Sequence, residues 1–265
     1  MITFKSWHSY RDFERAVKRK TRYLFDSDIK DFLGTVLETA KSRIEKINAG
    51  AIYWRSQLGH DWEPLDDGPA PYHTERMKPL KESATEGRAN PKGIPYLYLS
   101  TDKNTAMAEV RPWIGSYISL AEFKLLKDVN IINCSTHKKW PVSYSEEPGP
   151  KKRKMAVWQD TDEAFSRPVT TNENSADYVP TQIIAELFKN NGFDGIAYRS
   201  SLGKGHNIAL FNLEAADLCN CTFFWSREYL LIFPKLLIHI LFPNIIKNNK
   251  EKGIGVKAKQ YSLQE

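Results

Sequence analysis

Three stretches of the chain carry residue types that can do chemistry. The first surrounds Arg88, which sits among the turn-forming residues Gly87, Asn90, Pro91 and Gly93 and leads into an apolar run bearing Tyr96 and Tyr98. An arginine on a tight turn beside a strand can give a two-pronged contact to a phosphate or a carboxylate. The second is Ala106 to Val110, where Glu109 is the only acid between Lys103 and Ile114. Ala106 and Val110 share a helical face at a four-residue step, so Glu109 stands at the border of that face. The third is Asp194 to Ser201, which reads as a strand ending in two hydroxyls, Ser200 and Ser201, just before Gly203 and Gly205. Polar groups at such strand ends often line a cleft.

Other chemistries lack their signatures. There is no P-loop, no zinc-protease helix and no serine elbow. The three cysteines are Cys134, Cys219 and Cys221. They make no disulfide framework and no metal-ligand spacing with histidine, so neither a metal nor a tightly held cofactor is expected. This usage fits a reducing, cytoplasmic setting. Gly203 to His206 is too short for a phosphate loop and reads as a hairpin turn.

The 265 residues suit one large domain or two small ones, with enough chain to bury a core. There are 38 basic and 32 acidic residues, a net charge of +6. That balance permits anionic partners without selecting one. The basic runs Arg15 to Arg22 and Lys151 to Lys154 raise a rival reading as an RNA-binding protein or ribonuclease. No RNA-binding module with paired strand aromatics accompanies them, and solvated surface is preferred.

Residues 1–50 read as a helical extension. Phe13, Val17, Tyr23 and Leu24 interleave with charge in its first half. From Asp28, taken as a cap, Ile29, Phe32, Leu33, Val36, Leu37, Ala40, Ile44 and Ile47 recur at steps of three and four. The stretch lacks the early apolar core of a signal peptide. Strands are expected at Ala51 to Arg55, Pro95 to Ser100, Tyr117 to Phe123, Val129 to Ile132, Phe193 to Tyr198 and Ile208 to Phe211. Residues 59–93 read as one long connection and 137–154 as a loop. A short helix capped by Thr101 or Asp102 should run to Val110, and another should begin at Pro180 and stop at Asn190 to Gly192. The apolar stretch Tyr229 to Ile246 is broken by Pro234, Lys235, His239 and Pro243, which argues against a membrane-spanning helix.

In this order the three stretches resemble the RES domain family. The matching residues are Gly87 to Asn90, Tyr98 to Ser100, Ala106 to Glu109, and Gly192 to Ser201 followed by Asn207 and Phe211. An early strand ending in Arg55 also fits. The resemblance covers about residues 51–212, leaving 213–265 as an atypical C-terminal tail. Ala89 stands where many members carry tryptophan, and the sequence after Asn220 departs from the usual final strands.

The resemblance implies an α+β fold with a mixed, mostly antiparallel, ADP-ribosyltransferase-like sheet. It implies a toxin of a toxin–antitoxin pair that consumes NAD as substrate, by hydrolysis or phosphorolysis, or that transfers ADP-ribose to a protein. A cognate antitoxin is the implied partner, with no direct role for nucleic acid. The implied catalytic residues are Glu109, Arg88 and Tyr98. The implied dinucleotide contacts are Arg55, Arg88, Tyr98 and Ser200, with Ser201 the alternative serine. These types suit the reaction. Breaking the ribose–nicotinamide bond builds positive charge on the sugar, which a carboxylate stabilises. Arginines suit the diphosphate, and an aromatic face such as that of Tyr98 can stack on a pyridinium.

Overall fold

A computed structural model describes residues 3–63, 67–80, 82–136, 144–167 and 175–226. Its centre is an eight-stranded sheet. In chain order the strands are β1 (Ile44–Ile47), β2 (Ile52–Leu58), β5 (Leu97–Ser100), β6 (Tyr117–Leu125), β7 (Val129–Asn133), β8 (Gly195–Arg199), β9 (His206–Leu210) and β10 (Ala216–Trp225). Across the sheet they run β1-β7-β8-β9-β5-β2-β6-β10. Only β7 and β8 are parallel. This is the expected α+β fold with a mixed, mostly antiparallel sheet.

Helices cover one face. Helix α1 (Ser9–Arg19) buries Tyr10, Phe13 and Val17, and α2 (Ser27–Ala40) buries Ile29, Phe32, Leu33 and Val36. Both pack with α5 (Pro150–Ser166) and α6 (Val179–Asn190) into one core with Trp158, Phe165, Phe188, Ile196 and Tyr198. The opposite face of the sheet buries Met77, Leu97, Leu99, Phe123, Ile131 and Leu210. Asp26 caps α2 by accepting from the Ile29 amide at 2.9 Å. The cap therefore falls two residues before Asp28.

The first fifty residues are not helical throughout. Helix α2 ends at Ala40, and Ile44–Ile47 is an edge strand registered against Val129–Ile132. A three-residue step between Ile44 and Ile47 fits a helix, but the β-branched pair is placed by its partner strand. Tyr23 and Leu24 lie between α1 and α2 and are exposed. Residues 59–93 are also more structured than one long connection. They hold β3 (Asp61–Glu63), β4 (Gly68–Ala70) and the one-turn helix α3 (Thr74–Met77).

The loop expected over 137–154 gives way to α5 from Pro150, a residue suited to a first turn. The basic run Lys151 to Lys154 is therefore on that turn. Arg153 donates to the carbonyls of Pro148, Phe4 and Lys5, and Lys154 donates to Ser42 Oγ. In the other run, Arg15 pairs with Asp12, and Lys18 with Glu14 and Asp177. Such engagements take up part of the charge an RNA would need.

Beyond the sequence resemblance, Ala216–Trp225 completes the sheet by pairing along β6 as far as Tyr117, with a register shift between Leu218 and Asn220. The apolar stretch Tyr229 to Ile246 lies outside the described residues. Among the described residues no helix is long and apolar enough to cross a membrane.

Gly195 opens β8 opposite Leu210. A Cβ there would lie 2.5 Å from the Ala209 carbonyl oxygen and 3.3 Å from the Leu210 Cα, so backbone must move to admit it. Gly195→Ala should cost about 1–3 kcal/mol, the usual range for overpacking. A lower midpoint of urea denaturation measures this; an unchanged midpoint would mean that β8 and β9 separate without penalty.

Candidate active site

The cleft begins where two strands part. Strands β2 and β5 share a single registered pair, Trp54 with Ser100. Beyond it β2 continues to Leu58 along β6, while Leu97 to Leu99 of β5 are registered with β9. A cavity of about 610 Å³ fills the parting, and Arg55, Arg88, Tyr98, Glu109, Tyr198 and Asn207 are among its walls.

Glu109 ends the short helix α4 (Lys103–Glu109). Asp102 caps this helix, accepting from the Thr105 amide at 2.9 Å and the Thr105 hydroxyl at 2.6 Å. The same corner receives the β8–β9 hairpin. Gly205 donates its amide to Thr105 Oγ1, and His206 donates to Thr101 Oγ1, each at 2.9 Å. Any Cβ at Gly203 would meet Thr105, and one at Gly205 would meet Asp102. The glycines are therefore what let the hairpin lie against the helix start.

That docking brings two hairpin side chains to the carboxylate. Ser200 Oγ donates to Glu109 Oε1 at 2.7 Å, and Asn207 Nδ2 donates to the same oxygen at 2.6 Å. Asn207 is aligned in turn by Ser100 Oγ, which donates to its Oδ1 at 2.8 Å. Ser200 Oγ accepts from the Leu202 and Gly203 amides at 3.1 and 2.9 Å. Both donors thus converge on Oε1. Oε2 has no hydrogen-bond partner among the described residues.

Arg88 is held by a turn clamped from three sides. Gly87 donates its amide to the Asn90 carbonyl at 2.9 Å, and Asn90 Nδ2 donates to the carbonyls of Thr85, Pro91 and Ile94. Gln182 on α6 donates to the carbonyls of Gly87 and Asn90 at 3.0 Å each. Tyr98 completes the clamp, donating to Asn90 Oδ1 at 2.7 Å and accepting from the Ala89 amide at 3.0 Å. The small Ala89 is fully buried in the helix-side core. The Arg88 guanidinium stands 6.0 Å from the centre of the Tyr198 ring.

Neither Arg55 nor Arg88 has a carboxylate within 4 Å among the described residues. Arg55 Nη1 donates to the Tyr98 carbonyl at 3.2 Å, while its Nε is buried without a partner. Burial pushes its ionisation down to about 10, because a desolvated cation is disfavoured. Burial also holds the Tyr98 and Tyr198 hydroxyls well above their ordinary value, against the nearby Arg88 charge. Neither phenol is poised to give up a proton near neutrality.

The structure therefore brings Arg55, Arg88, Tyr98 and Glu109 to one cleft. Ser200 is buried behind Glu109, its hydroxyl donating a hydrogen bond to the carboxylate, so its contact is with Glu109 and not the open cavity. Ser201 is exposed and outside the wall. Asn207, Ser100 and Tyr198 lay within the matched motifs without an assigned role. Trp54 lay in the early strand that ends in Arg55, also without a role, and Gln182 and Tyr178 come from elements that no motif marked.

Among known proteins, the RES domain family matches residues 52–225. No curated protein matches the chain. Among solved structures, a chain in the crystal structure of the M. tuberculosis MbcT–MbcA toxin–antitoxin complex is similar at a TM-score of 0.41 and 13% identity. The match covers 72% of this chain and 92% of that one.

A cleft with two guanidiniums that have no carboxylate partner among the described residues, one of them desolvated, should take an anion. Inorganic diphosphate should raise the unfolding temperature of the wild-type protein. At a hundred times its Kd a ligand adds about 2.7 kcal/mol, roughly 5 °C for a chain of this size. Arg55→Met should lose most of that rise in differential scanning fluorimetry; an equal response from both proteins would place the anion elsewhere.

Proposed function

The chain belongs to the RES domain family, and from that premise we propose that it is a toxin-like enzyme that cleaves NAD at the nicotinamide–ribose bond. The observation that carries the reading is the division of charge in the cleft. One carboxylate, pinned at a single oxygen, shares a cavity with two arginines that lack acidic partners among the described residues. A dinucleotide has the complementary pattern, an anionic diphosphate a short distance from a ribose that becomes cationic.

The reaction breaks the bond between the ribose C1′ and the pyridinium nitrogen. The bonding pair leaves with nicotinamide, which becomes neutral, and positive charge spreads over C1′ and the ring oxygen. Glu109 Oε2 is the oxygen left to face that charge, or to accept a hydrogen bond from a ribose hydroxyl. Fixing Oε1 by Ser200 and Asn207 means that little reorganisation accompanies the charge as it forms. Arg88 and Arg55 hold the diphosphate. Tyr98 contributes its ring to the wall, its hydroxyl being already committed to the Arg88 turn. The acceptor at C1′ is water, phosphate or a protein side chain, and a cognate antitoxin would act by covering the cleft.

Incubation of the purified protein with NAD, with and without phosphate, followed by product identification, tests the activity and names the acceptor. Free nicotinamide should appear. No loss of NAD under any condition would remove the reading. Within it, Glu109→Gln keeps the shape and removes the charge, and turnover should fall roughly a hundredfold or more, with KM changing much less. A folded Glu109→Gln protein with wild-type turnover would deny this carboxylate its role.

A further inference from the structure

Arg55, Gln57 and Tyr98 line a second cavity as well as the first. It has a volume of about 730 Å³ and lies between β2, the residues after α3 and the approach to β5. Two buried donors on its walls lack acceptors among the described residues, Arg55 Nε and the Tyr96 hydroxyl. The other cations beside it are engaged. Arg76 lies over the Tyr72 ring at 4.0 Å and donates to its hydroxyl, and Lys78 pairs with Asp217 at 2.8 Å. What remains is a chamber with aliphatic walls at Pro79, Leu80 and Pro95, hydroxyls at Ser83 and Thr85, and one carboxylate, Glu75, which would repel a phosphate. That is the lining of a pocket for a flat, mostly neutral group with a few polar atoms, and not of a second phosphate site.

The two cavities therefore share a desolvated guanidinium between them. The first holds a half-buried carboxylate, Glu109, beside its own arginine, and the second holds apolar surface and hydroxyls with the exposed Glu75 at its wall. A dinucleotide has the matching plan of two nucleosides joined by a diphosphate. We propose that the second cavity is a nucleoside subsite that binds the adenylate half of the substrate, with Arg55 on the diphosphate at the junction. This rests on the reading of NAD as the substrate. Binding in the second cavity is remote from the reacting C1′, and such remote contacts raise kcat/KM by fixing the reacting end. A substrate cut down to the nicotinamide mononucleotide would forfeit them.

Thr85 and Ser83 have exposed side chains, so a bulky residue can fill the chamber without entering the core. Thr85→Trp, with Ser83→Trp as a second variant, is compared with the wild type after circular dichroism confirms folding. The first measurement is direct binding of AMP by titration calorimetry. Wild type should bind AMP, and either variant should bind it roughly tenfold or more weakly. The second is kcat/KM for NAD against nicotinamide mononucleotide. Wild type should favour NAD, and the variants should lose that preference by a similar factor. AMP that fails to bind, or binds the folded variants as well as the wild type, overturns the subsite. If AMP binds and the variants weaken it while NAD survives intact, the subsite stands and the proposed reaction falls.

Discussion

The double hydrogen bond to one oxygen of Glu109 is the contact on which the arrangement of the cleft depends. It joins the end of α4 to the β8–β9 hairpin, segments about ninety residues apart in sequence. Each donor is itself fixed, Ser200 by the hairpin amides and Asn207 by Ser100 on the neighbouring strand. A carboxylate held on one side only has a defined second oxygen. Its geometry comes from the sheet, and not from the seven-residue helix on which the glutamate sits. The capping of that helix by Asp102 and the close fit of Gly205 against it belong to the same construction, because they set the distance between helix and hairpin.

The cations are placed by a different device. Arg55 projects from a strand that has parted from its neighbour, and Arg88 from a turn held by Asn90, Tyr98 and Gln182. Desolvating a guanidinium without a carboxylate partner is costly unless something else supplies the acceptor. Among the described residues the Tyr98 carbonyl is the acceptor that Arg55 has, and the Arg55 Nε has none. Tyr98 links the two devices: its carbonyl accepts from Arg55 and its hydroxyl anchors the turn that carries Arg88.

Much of this was legible in the chain, for identifiable reasons. Glu109 stood out as a lone acid on a short capped helix, and Arg88 as an arginine in a turn leading to a strand. Both signals are local, and both residues line the cleft. Partners supplied from far away were not legible. Nothing near Gln182 says that its amide reaches the Arg88 turn, and nothing near Asn207 says that it meets a glutamate. Ile44 and Ile47 fitted a helix by spacing, but strand pairing with β7 decided their conformation. Helix α5 was hidden because its opening turn is dense in lysine and arginine and its buried residues, from Ala156 to Phe165, are broken by polar ones. Pro150 was the available sign of its start. The two serines after Tyr198 could be separated only by the fold, which buries Ser200 and exposes Ser201.

The order of strands also bears on synthesis. Strand β5 has its full partner in β9, more than a hundred residues later, and β1 waits for β7. A chain emerging from the ribosome has Glu109 and both arginines in hand early, yet nothing to seat them against. Pairings so distant in sequence close slowly and late. The cleft thus comes into being only after the β8–β9 hairpin has been made and has closed onto β5. A partly made chain carries the residues of the cleft without the architecture that seats them.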